Sequence, residues 1–228
     1  MTNLSTNRRD ALKLMAAGIA GMATHTAAAA DTPAELFHHP ANGEEALSIL
    51  LKGNQRYLNE QLTSCSANMA ELRKHSEDKQ EPFAAILSCA DSRVPVELVF
   101  DQNLGQLFVV RVAGNIATPD TIASLEYAAA VVGVKLLLVI GHTSCGAVKA
   151  AAANKPVPGQ VSTLFQYIHP AVKGTPDLTE AIRKNAVLQA ATLREASPVL
   201  AEMIEKKTLL IKAALYDIAS GKVTILED

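Results

Sequence analysis

Three short runs of apolar residues constrain this chain more than anything else in it. Phe83-Ala84-Ala85-Ile86-Leu87-Ser88, Leu107 to Val112 and Val134 to Ile140 are each short and almost continuously apolar, which fits strands buried on both faces better than strands with one wet face. Between the second and third runs, Thr118 is placed to cap a helix with Pro119 at its first position, and Gly133 stands where that helix should stop. A strand, a helix and a strand in succession join parallel neighbours, so the expected fold class is α/β, a central, mainly parallel sheet flanked by helices. In such sheets ligands gather at the carboxyl ends of the strands.

The segments on either side complete the outline. Asn42 followed by Glu45 reads as a helix start, and Leu47, Leu50, Leu51 and Leu58 then recur at helical spacing, giving an N-terminal helical arm whose continuity Gly53 puts in question. Leu178 to Lys206 reads as helix interrupted at Ser197-Pro198, where proline removes a backbone donor. Leu209 to Leu215 and Val223 to Leu226 flank a turn at Ser220-Gly221 and read as a C-terminal β-hairpin.

The first thirty residues differ in kind. Asn7-Arg8-Arg9-Asp10-Ala11-Leu12-Lys13 precedes a mildly apolar stretch from Leu14 to Ala23 and then Ala27-Ala28-Ala29-Ala30, the layout of a cleaved signal peptide. The paired arginines resemble a twin-arginine signal, although Ala11 stands where that signal often has Phe. The expectation is therefore a leader over 1–30, a linker over 31–41 and one folded domain over 42–228, delivered to the periplasm. A spanning helix needs about 20 continuous apolar residues, so no stable membrane anchor is expected. With 49% hydrophobic residues, a net charge of -2 and no block of like charge, the chain suits one well-cored domain and offers nucleic acid no basic arm.

Chemistry concentrates at the strand ends. Cys89 directly follows the first run in Ser88-Cys89-Ala90-Asp91-Ser92-Arg93, and His142 and Cys145 follow the third in Gly141-His142-Thr143-Ser144-Cys145-Gly146. Taken singly, a buried cysteine is a small hydrophobe and a loop histidine needs no special role. Taken together, two thiolates and an imidazole at one sheet edge suit zinc with an open fourth position, the arrangement of catalytic sites. A helix starting near Gly146 would favour the Cys145 thiolate. Asp91 and Arg93, two apart on an extended segment, would project to the same side and pair, neutralising a carboxylate beside the metal; freed from Arg93, Asp91 could itself take the fourth position in a closed state. Cys65 has no ligand-like neighbour, and without a C-x-x-C pair redox chemistry is disfavoured.

These motifs, C-x-D-S-R at Cys89 to Arg93 and H-x-x-C at His142 to Cys145, closely resemble those of the β-class carbonic anhydrases. The likeness extends through Gly53-Asn54-Gln55-Arg56-Tyr57, Phe108 to Asn115, Ser124-Leu125-Glu126-Tyr127 and Ala214-Leu215-Tyr216-Asp217, covering the chain from about residue 44 to its end. The resemblance implies zinc held by Cys89, His142 and Cys145, with Asp91 and Arg93 as the catalytic dyad that orients the zinc-bound hydroxide. It implies that Gln80 faces the substrate and that Phe108, Ala113 and Tyr127 help line a small apolar pocket, partly across a subunit interface. It implies reversible hydration of carbon dioxide to bicarbonate, and a homodimer or higher even-numbered assembly in which the segment with Leu47, Leu50 and Leu51 wraps a neighbouring subunit. Two positions depart from parts of the family. The chain has no Trp, which members with an inhibitory bicarbonate site carry, and Val131 stands where some plant members have a proton-moving His.

Because thiolates raise the pKa of metal-bound water, hydration should climb as pH rises above neutrality. The rival readings are a carbon disulfide or carbonyl sulfide hydrolase on the same scaffold, and a non-catalytic, zinc-stabilised binding module with Asp91 as permanent fourth ligand.

Overall fold

A computed structural model of the chain describes residues 39–227. The expected leader at 1–30 and most of the expected linker at 31–41 lie outside the described residues. Five strands form one sheet, β1 (Ala84–Ser88), β2 (Leu107–Arg111), β3 (Leu136–His142), β4 (Leu210–Tyr216) and β5 (Val223–Leu226), in the order β2-β1-β3-β4-β5. The first four are parallel and β5 closes the sheet as the antiparallel arm of the hairpin. Every residue of β1 and β3 is buried, which is why their sequences show no alternation.

Among the described residues, eight α-helices connect and cover the strands: α1 (Gly43–Leu58), α2 (Met69–Ser76), the single turn α3 (Val96–Val99), α4 (Pro119–Glu126), α5 (Gly146–Ala153), α6 (Phe165–Val172), α7 (Leu178–Ala196) and α8 (Pro198–Glu205). One face of the sheet packs Ala85, Leu87, Leu137, Val139 and Leu215 against α4 to α8, with Leu125, Val148, Ile168, Ala186, Leu193 and Leu200 in the same cluster. The other face packs Ile86, Leu136, Leu138 and Ile140 against Ala46, Leu47 and Leu50 of α1 and against Val96, Val99 and Phe100.

The helix starts follow from their caps. The Asn42 side chain accepts from the Glu45 amide at 2.9 Å, and the Glu45 carboxylate accepts from the Ala41 amide at 2.8 Å. Gly53 does not break α1. A Cβ there would lie 1.8 Å from the Phe100 carbonyl oxygen, so the glycine is what allows the helix to lie on that loop. The Leu47 and Leu50 stripe, which the resemblance assigns to a neighbouring subunit, is buried on the chain's own sheet at 8% and 0% exposure. Thr118 and Pro119 open α4, which runs to Glu126 and continues as a π-helix over Tyr127–Val132 before Gly133 ends it at φ +92°.

Asp101, just past α3, ties the loop after α1 to the turn that follows α3. Buried and left-handed at φ +49°, it accepts hydrogen bonds from the Arg56 guanidinium, from the amide and hydroxyl of Thr63, and from the Ser64 amide.

Candidate metal centre

The parallel strands all end at one edge, and three of the sequence-predicted residues meet there. Cys89 leaves β1, His142 is the last residue of β3, and Cys145 caps α5, reached through a turn in which Ser144 takes φ +59°. Their ligand atoms lie within 4.8 Å of one another, with all three residues buried. The His142 Nδ1 sits 3.0 Å from the Thr143 carbonyl oxygen. A carbonyl can only accept, so Nδ1 carries the proton and Nε2 presents its lone pair, and that buried Nε2 has no hydrogen-bond partner.

The thiols act on each other. Cys145, and after it His142 and the amide of Gly114, hold the Cys89 thiol well below its ordinary range, while the same contact with Cys89, together with burial, pushes Cys145 up. Alone, the pair favours one negative charge. Two sulfurs and an unpartnered imidazole nitrogen, converging with no fourth donor of their kind among the described residues, match the donor set and tetrahedral habit of zinc, whose charge would let both thiols ionise.

Asp91 and Arg93 stand beside this cluster. The guanidinium Nε donates to Asp91 Oδ1 at 2.9 Å and Nη2 donates to Oδ2 at 2.8 Å, a bidentate pair reinforced by the Arg93 amide at 3.0 Å. The pairing does not come from an extended segment. Val94 donates its amide to the Asp91 carbonyl at 3.1 Å, so Ser92 and Arg93 occupy a tight turn that folds the guanidinium back. Arg93 holds the Asp91 carboxyl far below the usual carboxylate range. Asp91 Oδ2 is 3.9 Å from His142 Nε2, so the carboxylate overlooks the same point as the three ligand atoms.

Other residues place the centre from outside. Arg111, at the end of β2, donates through Nε to the Cys89 carbonyl at 3.0 Å and through Nη2 to the Asp91 carbonyl, bracing the loop between them. The Gly114 amide donates to Cys89 Sγ at 3.3 Å. Asn185 and Gln189 of α7 hold the Gly114 to Ala117 loop by hydrogen bonds to the Gly114 carbonyl and from the Ala117 amide. The sequence reading passed over Arg111, Asn185 and Gln189. For the last two there was a signal, since both interrupt the apolar stripe formed by Ile182, Ala186, Ala190 and Leu193.

The pocket candidates separate. Ala113 directly precedes the sulfur-binding Gly114. Phe108 pairs in register with Ala85, and its ring lies 6.3 Å from that of Tyr127, which is 47% exposed. Gln80 is exposed and precedes β1, whereas the cysteine and histidine cluster lies beyond the other end of that strand. A five-residue strand is about 16 Å long, so Gln80 is remote from the centre of its own chain.

Residues 84–223 match the family described as carbonic anhydrase. A protein named carbonic anhydrase 2 from Mycobacterium tuberculosis is 33% identical over 193 residues, covering 81% of this chain and 93% of that protein. A Pseudomonas aeruginosa carbonic anhydrase is 34% identical over 176 residues, covering 69% of this chain and 79% of that one. The solved Coccomyxa β-carbonic anhydrase in complex with acetazolamide superposes with a TM-score of 0.64 at 25% identity, covering 79% of this chain and 86% of that chain.

Proposed function

Since the chain belongs to the β-class carbonic anhydrases, we propose that it interconverts carbon dioxide and bicarbonate at a zinc ion held by Cys89, His142 and Cys145. The observation that carries this reading is the convergence of three buried donor atoms within 4.8 Å, one of them an imidazole nitrogen with no other partner. A zinc ion held by these three residues would supply Lewis acidity, by which water would become a competent nucleophile near neutral pH.

The protein's own groups supply orientation. Asp91, kept ionised by Arg93, is an acceptor and not a proton donor at working pH, so it fixes the direction in which the nucleophile's O–H points and leaves a lone pair for the substrate carbon. Arg93 has a second task, holding both carboxylate oxygens so that Asp91 does not become a metal ligand. Arg111 keeps the Cys89 to Asp91 backbone fixed while this happens. Phe108, Ala113 and Tyr127 provide apolar surface for an uncharged linear substrate.

Gln80 would donate a hydrogen bond to a substrate oxygen, and its distance from its own chain's centre makes that centre a neighbour's. The reading therefore includes a homodimer or higher even-numbered assembly. Support for it comes from β2, a sheet edge whose Leu107, Phe108, Val109 and Val110 are all only partly covered. Delivery to the periplasm through the twin-arginine route is part of the proposal and rests on Arg8-Arg9 and the stretch that follows. Among the described residues no helix is long and apolar enough to cross a membrane.

The test joins metal analysis to a carbon dioxide hydration assay on the purified protein and on Cys145→Ser. One equivalent of zinc per chain with hydration activity, both lost in the variant, is the expected result. Zinc bound with no hydration, at any pH between about 6.5 and 9, would refute the enzyme reading.

A further inference from the structure

Asn185 and Gln189 sit one turn apart on α7, both buried, at 0% and 1% exposure, in a helix face otherwise made of Ala181, Ile182, Ala186, Ala190 and Leu193. Two amide side chains on such a face carry a desolvation cost that leucine or methionine would not. Two of their hydrogen bonds reach the same loop. Asn185 Nδ2 donates to the Gly114 carbonyl at 2.9 Å. Gln189 Oε1 accepts from the Ala117 amide at 2.8 Å, and its Nε2 donates to Asn185 Oδ1 at 3.0 Å and to the Tyr167 carbonyl at 2.9 Å. The loop from Gly114 to Ala117 is thus gripped at both ends by one rigid element.

That loop delivers the amide that meets the Cys89 sulfur at 3.3 Å. Gly114 is left-handed at φ +80°, and a Cβ on it would lie 2.8 Å from Ile168 Cδ1 and 3.3 Å from Ala147 Cβ. It is therefore pressed by α5 and α6 on one side while α7 holds its carbonyl on the other. An N–H aimed at a thiolate takes up part of its charge and fixes the direction of the sulfur's remaining lone pairs. We propose that Asn185 and Gln189 are positioning residues for the metal-binding sulfur of Cys89, acting through the Gly114 to Ala117 loop. This rests on the metal-site reading above and adds to it the part of the fold that sets one ligand's direction.

The test uses the protein loaded with cadmium-113, a thiolate-binding substitute whose nuclear spin couples through sulfur to a hydrogen-bonded amide proton. In the unmutated protein the Gly114 amide should show that coupling. Asn185→Leu, close to isosteric, should lose it and weaken metal binding by about 10- to 100-fold. Gln189→Met should shift both in the same direction and carries the test if Asn185→Leu does not fold. Leu193→Ala removes a fully buried side chain from the same helix, so it should lower stability while leaving coupling and affinity unchanged. Coupling absent from the unmutated protein would overturn the proposal, as would coupling and affinity that are unaltered in Asn185→Leu or altered equally in Leu193→Ala. If the unmutated protein takes up neither zinc nor cadmium, the metal-site reading fails, and this inference with it.

Discussion

Asp91 is held as an anion by two guanidinium hydrogen bonds and a backbone amide, and its position over the ligand cluster gives that charge a use. Asp91→Ala is expected to keep its metal and lose roughly 100-fold or more of the hydration rate, the usual scale for a positioned acceptor. Metal content and steady-state hydration, measured on the same sample, check this; a full rate would remove Asp91 from the chemistry. Asp101 shows the same electrostatics in a structural role. Burial pushes it up, but hydrogen bonds from the Ser64 amide and Arg56 outweigh that and bring it from 3.8 to about 2. A depressed carboxyl stabilises the fold fully above its unfolded value and loses that contribution as pH falls through the folded one. About 2 kcal/mol should therefore disappear between about pH 4 and pH 2. Asp101→Asn, which tolerates the left-handed backbone, should flatten that part of the stability profile in denaturant titrations of the metal-free protein, compared with the unmutated protein at the same pH. The meeting of Cys89, His142 and Cys145 and the pairing of Asp91 with Arg93 were legible in the sequence because the cysteines and the histidine stood at strand exits with the charged pair beside them. For Asn185 and Gln189 only the interruption of an apolar stripe was legible and their role was not, because their partners are backbone groups of a loop some seventy positions away.

The strands and most helices were legible as elements because their signals are local: continuous apolar runs for β1 and β3, Asn42 and Thr118 for the starts of α1 and α4, Ser197-Pro198 for the break before α8. Two features needed tertiary structure. Gly53 reads as a weak point until the Phe100 carbonyl is seen against it, and Tyr127–Val132 reads as ordinary helix although its backbone bonds follow the wider π spacing. The first yields a prediction. Gly53→Ala has better intrinsic helix propensity by about 1 kcal/mol, yet it should destabilise by roughly 2 kcal/mol or more, because the new methyl has backbone in its path. A shift of the urea midpoint to higher concentration would show that α1 can move off that loop.

Across the whole molecule, four parallel strands put the Cys89, His142 and Cys145 cluster and the Asp91–Arg93 pair at one edge of the sheet, and β1 separates that edge from Gln80. On the proposed function, a chain arranged in this way draws its glutamine from a neighbour, and the consequence is a form of complementation. Consider two damaged proteins, one carrying Gln80→Ala and the other Cys145→Ser, each poorly active by itself. Unfolded together and refolded as a mixture, they form hybrids in which one centre draws its metal ligands from the first parent and its glutamine from the second, so activity should rise above that of either parent treated alone. If instead the mixture never exceeds the average of its parents, each subunit furnishes its own glutamine, and the separation along β1 has no bearing on catalysis.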